Sequence, residues 1–303
     1  MHINNNQRRG AAPLRPHRIL RMLILVIVAS YFGVVLYGAL SITYMLTVPL
    51  KGTVCCFDLN HEDIQFQTAD GLKLSGWYIA PKNGAVIILF HTYYGNRQST
   101  VNIARMLVRH GYGVLMYDQR ASGKSSGEVR SLGWLDTPDV SLAVSWAQSR
   151  PGVDQTRIGV YGCSIGGAIA LAAAAQNPAI AAVAADAPSP ISFDEGRPGF
   201  DDPIWVFRLP VYALYYVFVG LRAQTFPSMS TSQAAQAIAP RPLLLISSAE
   251  PGERQRVDGF YKLAGEPKSH WNIPEAGHCG GPSAQPEAYE QRLVDFFDGA
   301  LLK

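Results

Sequence analysis

Acidic residues are absent from the first 50 positions of this 303-residue chain. The same 50 positions contain five arginines and no lysine. These arginines are Arg8, Arg9, Arg15, Arg18 and Arg21. Because the whole chain has 26 basic and 23 acidic residues, the part after residue 50 keeps 21 basic against 23 acidic residues. That part is slightly acidic, which argues against a protein that binds nucleic acid.

Cysteine is scarce, with four residues in the whole chain. Cys55 and Cys56 are neighbours, which disfavours a disulfide between them, and the spacing of all four matches no zinc motif. We expect the other two, Cys163 and Cys279, to be small buried apolar residues. The sequence therefore predicts neither a disulfide scaffold nor a bound metal, and nothing in it indicates an organic cofactor.

Charge is also missing from the run Met22 to Leu50, which is almost entirely apolar. A helix that crosses a bilayer needs about 20 apolar residues, whereas the apolar core of a signal peptide has about 7–15. A buried core helix and a cleaved signal peptide are the alternatives, but no small-residue cleavage site follows the run. The length predicts an uncleaved transmembrane signal anchor over residues 22–50.

The orientation of this anchor follows from the charges at its two ends. Five arginines precede the run, and only Lys51 follows it closely. Positively charged flanks stay on the cytoplasmic side of a membrane. The sequence therefore predicts a basic cytoplasmic tail at 1–21 and an extracytoplasmic domain at 51–303.

The pattern beyond the anchor alternates between strands and helices. Residues 63–80 form two alternating apolar–polar runs around Asp70-Gly71, which is typical of a β-hairpin. Further strands are predicted at 85–91, 113–118, 157–162, 179–186, 241–248 and 270–276. Helices are predicted at 97–111, 137–149, 168–176 and 288–302. This order indicates an α/β protein with a mostly parallel, doubly wound sheet, an antiparallel hairpin at its start, and ligand binding at the carboxyl ends of the strands.

The pentapeptide Gly162-Cys163-Ser164-Ile165-Gly166 fits G-x-S-x-G. Three fixed residues make a weak motif, but this one directly follows a predicted buried strand and directly precedes an alanine-rich helix. A strand–turn–helix of this kind exposes the serine hydroxyl at the helix N-terminus, and it needs small residues on both sides of the serine. We therefore expect Ser164 to be a nucleophile. The alternative is a Gly-Ser turn without catalysis.

A nucleophilic serine needs a base and an acid, which follow it in the chain order Ser, acid, His. His278 lies after the last predicted strand and before the last helix, where the base is expected. The acid should follow strand 241–248, so Glu250 is the first candidate. Glu253 and Asp258 are nearby rivals, and Asp186, at the end of the preceding strand, is another.

The developing negative charge of an acyl-transfer reaction needs backbone N–H donors, the oxyanion hole. One donor is expected from Ile165, the residue after the nucleophile. The second is expected from Tyr93, in the loop His91-Thr92-Tyr93-Tyr94-Gly95-Asn96 that follows strand 85–91. The alternative is a turn in which the tyrosines only pack.

Four segments together resemble α/β-hydrolase-domain proteins: HTYYGN (91–96), YDQRASGKSSG (117–127), GCSIGG (162–167) and Gly277-His278. The resemblance runs from residue 63 to residue 302. Its nearest branch is similar to membrane-anchored relatives of monoacylglycerol lipases, acyl-protein thioesterases and serine aminopeptidases. The resemblance implies that Ser164 and His278 are catalytic and that the Tyr93 loop supplies an oxyanion donor.

The chain departs from the family pattern at three places. Thr92 and Ala121 each stand where the family usually has glycine. The usual Gly-x-x-Asp after the acid-bearing strand is replaced by Ser-Ser-Ala-Glu-Pro (247–251), so the matching acid position falls on Pro251. Glu250 lies one residue away, and Asp or Glu both serve in this fold.

Residues 187–240 interrupt the alternation and are rich in aromatic side chains. These are Trp205, Phe207, Tyr212, Tyr215, Tyr216 and Phe218 among others. The family commonly carries a cap here, and an aromatic cap would bury an apolar group of a substrate; a packing element without a substrate role is the alternative. The sequence thus predicts a serine hydrolase that cleaves esters or thioesters of apolar or lipid-like substrates through an acyl-enzyme. The other readings are an aminopeptidase-like peptidase and a non-catalytic binding protein.

Overall fold

The computed structural model describes residues 16–55 and 57–303 of the chain. Of the predicted basic tail, Arg8, Arg9 and Arg15 lie outside the described residues. The predicted anchor run forms a single long helix, α1, over Pro16–Thr47. Aliphatic residues with little polar competition favour this helix, and it ends just before Pro49, whose ring cannot continue it.

Ten strands follow α1, most of them short and buried. They are β1 (Leu50–Lys51), β2 (Glu62–Gln67), β3 (Lys73–Ile79), β4 (Val86–Phe90), β5 (Gly113–Tyr117), β6 (Ser122–Gly123), β7 (Ile158–Cys163), β8 (Ala182–Asp186), β9 (Leu243–Ser248) and β10 (Lys268–Ile273). The helices between and after them are α2 (Val101–Arg109), α3 (Asp136–Gln148), α4 (Ile165–Gln176), α5 (Phe193–Gly196), α6 (Trp205–Ala223), α7 (Thr231–Ala237), α8 (Glu253–Leu263), α9 (Gly281–Ala284) and α10 (Pro286–Leu301).

Eight of the strands form one sheet in the order β10-β9-β8-β7-β4-β5-β3-β2. The pairs from β10 to β5 are parallel, whereas β3 is antiparallel to both β5 and β2. The predicted fold class is confirmed: a mostly parallel, doubly wound sheet with an antiparallel hairpin at its N-terminal edge. The hairpin turn lies at 68–72, as the Asp-Gly step predicted.

The sheet carries an apolar core on each face, because side chains alternate along its strands. In β4, Val86, Ile88 and Phe90 belong to one core cluster, whereas Ile87 and Leu89 belong to the other. The first face is covered by α3, α4, α7 and α8, and the second by α2 and α10. Continuous apolar runs are typical of such doubly covered strands.

Helices α5, α6 and α7 fill the predicted insert between β8 and β9. Helix α6 packs along α1 rather than over the sheet. The Tyr31 hydroxyl of α1 donates a hydrogen bond to the Val206 carbonyl of α6 at 2.7 Å, and a side chain at Gly38 would meet Val211 at 3.4 Å. The two helices therefore run side by side and in the same direction. Both are long and apolar enough to cross a membrane.

Candidate active site

Ser164 lies at the sharp turn between β7 and α4, at the carboxyl edge of the sheet. Its backbone has φ 59° and ψ −123°, a conformation that a residue with a side chain rarely adopts. The turn brings its flanks very close: a Cβ on Gly162 would lie 2.2 Å from the Gly166 backbone, and one on Gly166 would lie 2.5 Å from the Phe90 carbonyl oxygen. Only glycine fits at either position, so the two glycines of the motif are explained by close backbone approach.

The hydroxyl of Ser164 is half-buried and lies 3.2 Å from the hydroxyl of Ser189. The backbone of the same two residues is also joined, because the Ser189 N–H donates to the Ser164 carbonyl at 3.1 Å. Sequence reasoning did not single out Ser189. It lies just beyond the end of β8, and only the contact across the sheet edge identifies it as a neighbour of the predicted nucleophile.

His278 is held by a carboxylate at one ring nitrogen. Its Nδ1–H donates to Glu253 Oε2 at 2.6 Å, and the Ser248 N–H donates to Glu253 Oε1 at 2.6 Å. The hydrogen bond with Glu253 raises the pKa of His278 above its usual value, although partial burial opposes it. Burial alone would raise the pKa of Glu253, but the hydrogen bonds from His278 and Ser248 outweigh it and lower that pKa. The pair is thus arranged to stabilise an imidazolium.

The predicted acid, Glu250, is not the partner of His278. Glu250 is exposed, and the structure instead brings in Glu253, the rival three residues later, whose side chain is 0% exposed. The reason is the turn after β9: Gly252, at φ +75°, starts α8 with Glu253 as its first residue and directs that side chain back to the strand end. The other rival in this helix, Asp258, contacts a different imidazole, Nδ1 of His270, at 3.1 Å.

A disulfide joins the two halves of the site. Cys163 and Cys279 are bonded, with their Cα atoms 6.0 Å apart, so the expectation that they are merely buried apolar residues is wrong. Each cysteine is the direct chain neighbour of a predicted catalytic residue. The bond therefore brings the Ser164 turn and the His278 loop together, although Ser164 Oγ and the His278 ring are not within hydrogen-bond distance in the described residues.

Asp186 lies under the same site as a fully buried carboxyl. The Tyr289 hydroxyl donates to its Oδ2 at 2.7 Å, and Tyr161 in turn contacts the Tyr289 hydroxyl at 2.8 Å. Burial, together with the nearby Glu253 carboxylate, raises the pKa of Asp186 to about 6, against the lowering effects of the Tyr289 hydrogen bond and of His278. Asp186 therefore acts on His278 through its charge rather than through contact.

The predicted oxyanion loop is a tight turn fixed by His91. The Gly95 N–H donates to the Thr92 carbonyl at 3.0 Å, while His91 accepts from the Gln119 N–H at Nε2 and contacts the Thr92 carbonyl through Nδ1. Burial lowers the pKa of His91. Because Nε2 accepts a hydrogen bond and Nδ1 faces a carbonyl, the ring is neutral with its proton on Nδ1. Within the described residues, the N–H groups of Tyr93 and Ile165 donate no hydrogen bond outside a helix. Both remain open to an acceptor, as an oxyanion hole requires.

Ion pairs fix the YDQRASG segment beside this loop, and those with Asp118 and Asp139 are buried. Asp118 accepts from the Arg97 guanidinium at 2.6 Å, and Arg120 contacts Asp139 and Asp70, each at 2.6 Å. Ala121 adopts φ 56°, the conformation that explains a glycine preference at that position. These residues are structural, because their charged atoms point to each other rather than to Ser164.

A cavity of about 300 Å³ lies between α1 and α6. Its lining is mostly apolar and includes Ile42 of α1 together with Val211, Tyr212 and Tyr215 of α6. Tyr93 and Tyr215 both pack against the core cluster that contains Ile165. Helix α6 of the predicted cap thus shares a cavity with the long N-terminal helix. Among the described residues, no group of three or more His, Cys, Asp or Glu side chains is placed to hold a metal ion.

Sequence comparison relates this chain to known proteins. Residues 70–197 match the sequence model of the X-Pro dipeptidyl-peptidase (S15) family. The uncharacterized protein YfhR of Escherichia coli K12 is 28% identical over 251 residues, which cover 79% of this chain and 81% of that protein.

Solved structures show the same fold. The α/β hydrolase GrgF from Penicillium sp. sh18 superposes with a TM-score of 0.65 at 22% identity, covering 81% of this chain and all of that one. The esterase Pf2001 of Pyrococcus furiosus superposes with a TM-score of 0.66 at 24% identity, covering 84% of this chain and 98% of that one.

Proposed function

We propose that this chain is a membrane-anchored serine hydrolase of the α/β-hydrolase superfamily, with Ser164, His278 and Glu253 as its triad. The observation that carries the proposal is the pairing of a strained serine turn with a His–Glu pair at 2.6 Å, the two linked by the Cys163–Cys279 bond. A scaffold or binding protein of this fold would have no need to keep these three features together.

The proposed reaction is acyl transfer in two steps. His278 takes the proton of the Ser164 hydroxyl as the oxygen attacks the carbonyl carbon, and the charge that forms on the carbonyl oxygen is accepted by the Tyr93 and Ile165 N–H groups. His278 then protonates the leaving group. Water then attacks the acyl-enzyme in the same way, and the carboxylic acid product leaves. Glu253 holds the imidazole in the required tautomer throughout.

Anchoring is supported by the length of α1. Its 32 residues reach about 48 Å at 1.5 Å per residue, more than the hydrocarbon core of a bilayer. The arginines before it favour a cytoplasmic N-terminus, which leaves the catalytic domain outside the cytoplasm. A disulfide in that domain supports the same side, because such bonds persist in oxidising compartments.

A lipid-like substrate is supported by the depth at which α6 contacts α1. A span of about 20 residues that starts after Arg21 extends past Tyr31, where the two helices first meet. The N-terminal half of α6 would then lie in the bilayer, and it exposes Trp205, Val206 and Phe207. An apolar cavity opens between the same helices, and we propose that it receives the acyl chain of the substrate.

A peptidase is the second candidate, favoured by the match of residues 70–197 to the S15 family. An ester panel separates the two. We expect full-length protein in detergent to hydrolyse p-nitrophenyl esters, with kcat/KM rising from short to long acyl chains, and Ser164→Ala to lack this activity. Faster turnover of aminoacyl-p-nitroanilides than of any ester would favour the peptidase. A thioester of the best acyl chain, tested in parallel, shows whether sulfur is accepted as the leaving atom.

A further inference from the structure

Arg130 donates three hydrogen bonds to carbonyls at the end of the anchor helix. Its backbone N–H donates to the Thr47 carbonyl at 3.0 Å, and its guanidinium donates to the carbonyls of Val48 at 2.8 Å and Met45 at 3.3 Å. The last carbonyls of a helix have no partner within it. Arg130 thus caps α1, and its positive charge lies at the negative end of the helix dipole.

The same guanidinium holds the predicted oxyanion loop. Its remaining nitrogen donates to the Tyr93 carbonyl at 2.7 Å, and its carbon lies 4.4 Å from the centre of the Tyr93 ring. The Tyr93 hydroxyl donates to the Leu46 carbonyl, an acceptor at the end of α1 that Arg130 does not reach. Tyr93 is therefore tied to the anchor at its ring and, through Arg130, at its backbone.

This arrangement is buried and lacks a carboxylate. Arg130 is 5% exposed, and among the described residues no Asp or Glu forms an ion pair with it. A buried guanidinium without a counter-ion is costly unless carbonyls and aromatic faces replace one. All of these replacements come from α1 or from the Tyr93 loop, so removing either part would leave the charge without its partners.

We propose that Arg130 is a positioning residue that joins the membrane anchor to the oxyanion hole, so that the end of α1 sets the position of the Tyr93 N–H. The anchor is then part of the catalytic machinery as well as a tether. This inference rests on the proposed function, because it concerns the donor that the acyl-transfer reaction needs.

The test uses the full chain in detergent micelles, with Arg130→Gln, Arg130→Lys and Tyr93→Phe as variants. Tyr93→Phe keeps the ring and the backbone N–H and removes only the bond to Leu46. Tyr94→Phe is its matched control, because the Tyr94 side chain is exposed and its hydroxyl forms no hydrogen bond with the described residues. Arg105→Gln controls for loss of a surface arginine, since among the described residues Arg105 pairs only with Asp58 and Asn102.

The readouts are kcat per titrated active site, KM and the melting temperature. An oxyanion donor acts only in the transition state, so we expect kcat to fall about 10-fold or more in Arg130→Gln while KM changes less than about twofold. The kcat values of Arg130→Lys and Tyr93→Phe should lie between those of wild type and Arg130→Gln, because each variant keeps some of the contacts between the anchor and the Tyr93 loop. Counting only titrated sites removes any contribution from unfolded enzyme.

Wild-type kcat per site in both Arg130→Gln and Tyr93→Phe would overturn the inference, whatever their melting temperatures. If Arg130→Gln does not fold, Tyr93→Phe against Tyr94→Phe decides alone. A wild type that neither turns over esters nor titrates would instead refute the proposed function itself, so the two failures are distinguishable.

Discussion

The nucleophile turn and the histidine loop are built in different ways. Ser164 is positioned by the backbone, through a φ of 59° and glycines that admit no side chain at 162 and 166. His278 is positioned by side chains: Glu253 holds its ring, and the bond from Cys279 to Cys163 holds its loop. A Cβ at Gly277, beside the histidine, would meet nothing within 4 Å. The turn is therefore sensitive to volume, and the histidine loop to charge and redox state.

The largest effect that sharpens this comparison concerns the acid. Glu253→Gln keeps the size of the side chain but favours the wrong imidazole tautomer, so we expect kcat to fall about 10³-fold. Glu250→Gln, three residues earlier and exposed, is the matched control and should stay within about twofold of wild type. Steady-state ester hydrolysis measures both. A large loss of kcat in Glu250→Gln, with none in Glu253→Gln, would mean that Glu250 is the acid, as the sequence predicted.

A volume test should separate the two regions next. Gly162→Ala places a Cβ 2.2 Å from the Gly166 backbone, which must displace the turn and cost about 100-fold or more in kcat. Gly277→Ala adds the same methyl group in open space and should cost less than about threefold. Equal losses in the two variants would mean that the turn is not the rigid part of the site.

The redox state of the loop should have a smaller effect. Cys279→Ala frees the His278 loop and opens a link across 116 residues, so we expect about 10-fold lower kcat and a lower melting temperature. Cys55→Ala, at the exposed free cysteine, is the control. Dithiothreitol should reproduce the loss in the Cys55→Ala protein. Full activity after complete reduction, verified by thiol counting, would show that the disulfide does not position His278.

The smallest effect is a shift of the pH profile. The base form of His278 is the active one, and Glu253 raises the pKa of its ring, so kcat/KM should rise with pH through a midpoint above 6.5. The Asp186 carboxylate also raises that pKa by its charge. Asp186→Asn should therefore move the midpoint to lower pH and keep most of the activity. An unchanged midpoint would contradict this coupling, and a loss as large as that of Glu253→Gln would make Asp186 the acid.

Backbone requirements were predictable from the sequence because they leave a local signature. A buried strand, two glycines around Ser164 and an alanine-rich helix occupy consecutive positions, and the alternation of strands and helices predicted the sheet that carries them. The chain order then predicted His278. These inferences need no knowledge of how distant residues meet.

Side-chain partners were less predictable because they depend on tertiary geometry. Glu253 replaces Glu250 through a turn at Gly252 whose direction the sequence does not reveal. The Cys163–Cys279 bond connects residues 116 positions apart, although the position of each cysteine beside a predicted catalytic residue was a usable signal. Arg130 gave no signal, because its partners are backbone carbonyls at the end of α1.

Covalent labelling at Ser164 tests the central claim most directly. Full-length protein is treated with a fluorophosphonate, digested and analysed by peptide mass spectrometry, with Ser164→Ala and Ser189→Ala in parallel. We predict an adduct on the peptide that contains Ser164 in wild type and in Ser189→Ala, and none in Ser164→Ala. An unlabelled wild type, or equal labelling of Ser164→Ala, would contradict the assignment of Ser164 as the nucleophile.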